Sequence, residues 1–149
     1  MNREEKAIEL FYNGYNCAQA VVLAFKDLLN VDEESLKSLS SSFGGGISRL
    51  REVCGCISGM GIVLGLIKGN YDVNNNDEKS KHYAKIQELS LKFKEEMKSY
   101  ICADLLNISR KPSTPVAEKR SEKYYKDRPC AHYIGYMAKL ISQELNENE

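Results

Sequence analysis

Between Val53 and Ile67 the chain runs apolar, and four glycines, Gly55, Gly59, Gly61 and Gly65, punctuate that run. Its length and composition point to a helix, yet each glycine in a helix interior costs roughly 1 kcal/mol relative to alanine. Gly55 and Gly59 fall four apart and so share one face. A helix this smooth on one side makes sense only where another backbone, or a cofactor, comes close. The segment therefore constrains everything around it. It is also too short and too often broken to span a bilayer.

The surrounding sequence reads as helix in every long segment. Glu4 to Asn13 carries Ala7, Ile8, Leu10 and Phe11 at helical spacing, and Asn13-Gly14 stops it. Asn16 can cap a second helix from Cys17 to Leu29, and Asp32 a third with Leu36, Leu39 and Phe43 as its apolar stripe. Gly44-Gly45-Gly46 ends that helix in a flexible turn. After a polar loop from Tyr71 to Asp77, Glu78 to Tyr100 is the longest helix candidate, with Tyr83, Ile86, Leu89, Phe93 and Met97 in step. Cys102 follows, on the same helix after a kink. Pro112 and Pro115 mark an irregular stretch, Ala117 to Lys126 a polar helix, and Pro129 the first turn of a last helix bearing Ile134, Met137, Leu140 and Ile141. No strand or repeat stands out. The expectation is an all-α, single-domain bundle over residues 1–149, of about six or seven helices, with the glycine-rich helix at its centre.

Charge narrows the function. Lys and Arg number 21, Asp and Glu 21, which argues against a nucleic-acid binder. Residues 2–6 read Asn-Arg-Glu-Glu-Lys rather than as an export signal. The expected setting is the cytoplasm, where thiols stay reduced and a cysteine-rich chain points to redox or metal chemistry.

Five cysteines are present. Cys17, Cys54, Cys102 and Cys130 each fall close to where a helix is expected to begin or restart. The start of a helix favours negative charge and hence thiolate. The separations match no zinc-ribbon or ferredoxin spacing, and no C-x-x-C motif occurs. Any site must be assembled in space. Cys54 and Cys56, if both helical, point roughly 200° apart, and could share a site only if the helix starts at Gly55 or later. The same geometry separates Cys130 from His132, which is expected to pack locally.

The segments Asn16-Cys17-Ala18-Gln19-Ala20-Val21, Phe43-Gly44-Gly45-Gly46 and Glu52-Val53-Cys54-Gly55-Cys56-Ile57-Ser58-Gly59, followed by Gly65, Cys102 and Cys130, resemble the C_GCAxxG_C_C family of small redox-active proteins. The resemblance runs from about residue 4 to residue 140. It implies that Cys17, Cys54, Cys102 and Cys130 are the family cysteines and that Gly55 and Gly59 are the motif glycines. The chain departs at Cys56, where the motif has alanine. Cys56 is expected to be a small buried residue, with an extra redox partner as the alternative.

Three functions are in view. In the first, thiols such as Cys17 and Cys54 cycle between dithiol and disulfide, as in a thiol-dependent oxidoreductase. A helix dipole supplies roughly 0.3–1 kcal/mol while one pKa unit takes about 1.4 kcal/mol, so a cation from Arg49, Arg51 or Arg128 would have to help. In the second, Cys17, Cys54, Cys102 and Cys130 hold an iron–sulfur cluster or a zinc ion, with Gly55 and Gly59 giving it room. In the third, inert core cysteines belong to a helical interaction module, although Tyr124, Tyr125, Tyr133 and Tyr136 read better as core and rim packing. The implied partner is an unidentified redox partner, with neither nucleic acid nor membrane insertion, and a homo-oligomer left open.

Overall fold

The computed structural model describes residues 1–147. Eight helices form among them: α1 (Arg3–Tyr12), α2 (Cys17–Leu23), α3 (Glu33–Ser40), α4 (Gly55–Lys68), α5 (Asn76–Met97), α6 (Cys102–Leu106), α7 (Glu122–Asp127) and α8 (Cys130–Glu144). Single 3₁₀ turns occur at Lys26–Leu28 and Ser41–Phe43. The only strand-like pairing among the described residues is an isolated antiparallel bridge between Val53 and Ile101. The fold is all-α, as the periodicity predicts. The added helix is α6: Lys98 turns left-handed at φ 75 and ends α5, so Cys102 opens a helix of its own. No described helix is long and apolar enough to cross a membrane.

The helix starts follow local chemistry. Asn2, Asn16, Asp32, Asn75 and Ser121 each accept a backbone N–H of the first turn they precede, interactions of about 1 kcal/mol each. At α2 the cap is reciprocal, because Gln19 also accepts from the Asn16 N–H at 3.1 Å.

Helix α4 touches α2, α5 and α8, and α1 lies along α8. Their shared core holds Phe11, Phe25, Met60, Leu64, Phe93, Ile134 and Met137, all essentially inaccessible. Each such side chain contributes roughly 1.5–3 kcal/mol on burial. The smooth face of α4 goes to another backbone: a Cβ at Gly59 would lie 3.0 Å from the Ala18 carbonyl oxygen and 3.0 Å from Val21 Cβ. Gly61 and Gly65 face open space, and nothing in the packing explains them. Tyr83 and Leu39, expected in apolar stripes, are exposed.

Helix α2 ends earlier than its apolar pattern suggests. Arg3 takes the Ala24 carbonyl at 2.8 Å and lies over the Phe25 ring, so the chain turns there without losing a hydrogen bond. The buried Arg3 guanidinium also binds Asp27 and Glu147. Arg3 holds both carboxyls below their ordinary values. The increment they contribute is therefore complete above the unfolded carboxylate range, near 4, and is lost as pH falls through the lower folded values. Arg3→Leu should cost about 1–3 kcal/mol at neutral pH, toward the low end because Asp27 is half-exposed. Urea unfolding at pH 7 and pH 3 checks this: the difference between variant and wild type should shrink at the lower pH.

Candidate functional site

The four predicted cysteines do sit at helix starts. Cys17, Cys102 and Cys130 are the first residues of α2, α6 and α8, and Cys54 is the N-cap of α4. All four line one cavity of about 220 Å³, together with Cys56. Because α4 begins at Gly55, the condition for Cys54 and Cys56 to share a site is met. Cys54 Sγ accepts the Cys56 backbone N–H at 3.5 Å, as an N-cap should. His132 is exposed on α8, outside the cavity.

Three backbone features bring these thiols together. Gly55 stands against the start of α2, where a Cβ would fall 2.4 Å from Cys17 Sγ and 2.8 Å from the Phe43 carbonyl oxygen. The Val53–Ile101 bridge ties the Cys54 and Cys102 segments through Cys54 N–H to Tyr100 O at 2.8 Å and Cys102 N–H to Glu52 O at 2.6 Å. The third is the stretch after the glycines. Gly45, Gly46, Ile47, Ser48 and Arg49 are left-handed in succession, with φ of 70, 66, 69, 48 and 71, and Arg51 adds φ 64. Such a conformation costs roughly 1–2 kcal/mol per non-glycine residue, so this is a strained turn rather than the flexible one expected. At Gly46 any side chain would strike Cys102 Cβ at 2.6 Å.

The strained turn sends Arg49 and Arg51 to the cavity wall, where Arg120 and Arg128 join them opposite one acid, Glu118. Arg51 is buried, with its guanidinium 3.6 Å from Cys102 Sγ and 2.9 Å from Ser113 Oγ. Arg120 is absent from the cations named on sequence grounds. It belongs to the stretch expected to be helical from Ala117, but α7 starts only at Glu122, and Arg120 instead donates to the Phe11 and Tyr15 carbonyls and lies over the Phe11, Tyr124 and Tyr125 rings. Its spacing of four and five to two tyrosines was the one available signal.

Among the thiols, Cys17 donates toward Cys54 and Cys54 toward Cys56. That donation, followed by burial, holds Cys17 well above the ordinary thiol range, although the Gly45 and Ala18 N–H groups pull the other way. Cys54 is lowered by accepting from Cys17, but its donation to Cys56 and its burial leave it well above as well. Cys56 accepts from Cys54 and is still raised by burial. Burial raises Cys102 against the pull of Arg51, and pushes Cys130 up to about 12. The expected thiolates are thus neutral thiols at pH 7. The reason is magnitude: burial moves a pKa by up to 3–5 units, more than a helix end and one arginine return.

All five cysteines are free thiols. Among the described residues no three His, Cys, Asp or Glu side chains are arranged to hold a metal ion. Gly55 lines the cavity and its space goes to Cys17 Sγ, while the space at Gly59 goes to α2.

Two outcomes follow. Gly55→Ala should destabilise by about 1–3 kcal/mol and displace the Cys17 sulfur, since two of the three nearest atoms are backbone; thermal unfolding and Cys17 alkylation rates report the two effects. Alkylation of the native thiols by iodoacetamide should keep rising past pH 9, whereas the unfolded chain levels off above ~8.5. A plateau near pH 7 in the native protein would contradict the burial argument.

The family described as "Putative redox-active protein (C_GCAxxG_C_C)" matches residues 15–144, most of the chain and all five cysteines. No curated protein matches, and no solved structure does.

Proposed function

We propose that this chain, which belongs to the C_GCAxxG_C_C family of redox-active proteins, is a dithiol reductant working through Cys17 and Cys54. The observation that carries this reading is that Cys17 and Cys54 line one cavity, with Cys17 Sγ 2.4 Å from where a Cβ of Gly55, the residue after Cys54, would lie. Cys17 is half-buried and Cys54 buried, which suits an attacking and a resolving thiol.

The Cys17 sulfur, once deprotonated, attacks one sulfur of a disulfide in the cavity. The disulfide bond breaks, and the leaving sulfur takes up a proton. Cys54 gives up its proton and attacks Cys17, expelling the second substrate thiol. Two electrons and two protons pass to the substrate, and the protein is left with a Cys17–Cys54 disulfide. An external thiol donor, the redox partner, then restores the dithiol.

The raised thiol values decide the direction. Disulfide oxidoreductases that stabilise their thiolate stabilise the reduced form and become strong oxidants. Here neither thiolate is stabilised, so the dithiol gives up electrons readily. Low thiolate content also makes the site slow toward oxidants at large, and leaves selection to the cavity. Cys56, in contact with Cys54, is the sulfur to which the disulfide can move inward. The setting proposed is a reducing one such as the cytoplasm, with residues 1–149 acting as one domain.

Mild oxidation followed by peptide mapping tests the pairing. A Cys17–Cys54 disulfide should form first, and Cys54→Ser should leave Cys17 as a mixed disulfide with the oxidant. Oxidation that leaves both thiols free, or that pairs Cys102 with Cys130 first, would falsify the assignment.

A further inference from the structure

The arginines of this chain are held in two different ways. Arg3, which does not line the cavity, is held by two carboxylates, Asp27 and Glu147. On the cavity wall Glu118 pairs with Arg49 at 3.6 Å and with Arg128. Arg51 and Arg120 have no carboxylate partner among the described residues. Arg51 is 4% exposed and meets only a hydroxyl, Ser113 Oγ, and a thiol, Cys102 Sγ. Arg120 meets carbonyls, the Tyr125 hydroxyl and ring faces. Arg51 is buried and Arg120 half-buried; a desolvated charge is costly unless paired, and the thiols around these two cations are neutral. Both guanidinium groups are thus placed to receive an anion from outside.

The cavity sets its size and kind. At about 220 Å³ it is below the roughly 300–1,000 Å³ of drug-sized sites, so it takes a small molecule. Phe11, Leu105, Leu106 and Tyr133 also line it, and they offer an apolar surface that an inorganic oxyanion would leave empty.

We propose that the cavity binds small organic disulfides carrying carboxylates, with the carboxylates against Arg51 and Arg120 and a disulfide sulfur presented to Cys17. This rests on the dithiol reading for its chemistry: one disulfide and the two thiols of Cys17 and Cys54 give two small thiols and the protein disulfide. The anion site itself rests on the arginines alone.

The test compares three disulfides on the reduced wild-type protein: 3,3′-dithiodipropionate, a dianion; bis(2-hydroxyethyl) disulfide, neutral; and cystamine, a dication. Each rate is divided by that of the unfolded chain with the same reagent. The dianion should be favoured over cystamine by at least about tenfold, the scale of one charge-assisted hydrogen bond. About 0.5 M salt should compress the difference. Arg120→Gln should remove part of the preference without touching a thiol, and Arg51→Gln more of it where that variant folds. Independently, 3,3′-thiodipropionate, a thioether that thiols cannot reduce, should bind by calorimetry and slow Cys17 alkylation. Thioether binding with no disulfide reduced would uphold the anion site and overturn the dithiol reading. Normalised rates blind to charge, or no thioether binding, would overturn the anion site.

Discussion

Everything about the site depends on one missing side chain. The start of α4 approaches the start of α2 so closely that Cys17 Sγ lies 2.4 Å from where a Cβ of Gly55 would be. A helix entrance without a side chain lets a thiol from a neighbouring helix come to rest directly over it. Cys54, one residue earlier, is then within reach of that thiol. The glycine thus lets the packing of two helices bring Cys17 and Cys54 to the same cavity wall. Gly59, one turn on, keeps the two helices close past the site by admitting the Ala18 carbonyl.

The electrostatics of the cavity run opposite to the simplest reading of cysteines at helix starts. Several helices do point their N-termini at the sulfurs, and four arginines surround them. Burial of the thiols, however, costs them hydration, and that loss outweighs those favourable fields. The outcome is a wall that is cationic and thiols that are not anionic. Such a cavity attracts negative charge from solution rather than neutralising itself with its own thiolates. In the proposed function, charge recognition and electron storage therefore fall to different residues, the arginines and the cysteines.

Much of this was legible in the sequence, and the reasons are local. Caps at Asn16 and Asp32, the stop at Asn13-Gly14 and the three-and-four spacing of Leu89 and Phe93 are short-range signals that the packing did not override. The placing of Cys17, Cys54, Cys102 and Cys130 at helix starts came from the same signals. Their convergence did not, because it is made by contacts between segments far apart along the chain, such as the bridge joining Val53 to Ile101. The thiol pKa direction was misjudged because burial is a tertiary quantity. Arg120 and Glu118 were hidden in a polar stretch whose apparent helix gives way when Arg120 is drawn onto the aromatic rings of α1 and α7.

The least legible feature, the left-handed turn from Gly45 to Arg51, explains how so short a segment serves two purposes. Nothing in Ile47 or Ser48 favours a positive φ, and a β-branched residue there is unusual. The strain, several kcal/mol in all at roughly 1–2 kcal/mol per residue, is offset by bonds made by the turn and its side chains. Arg51 N–H and Glu52 N–H reach the Gly45 and Gly46 carbonyls at 3.1 and 3.0 Å, Arg49 reaches the Thr114 carbonyl, and Ser113 N–H reaches the Arg49 carbonyl. Each is a net contribution of about 0.5–1.5 kcal/mol. A relaxed turn would need none of them, but it would also release the segment around Ser113 and Thr114 and turn Arg49 and Arg51 from the cavity. Backbone strain of this kind persists where the surroundings over-determine it. Here the surroundings are the wall of the thiol cavity, so the strained turn and the site hold each other in place.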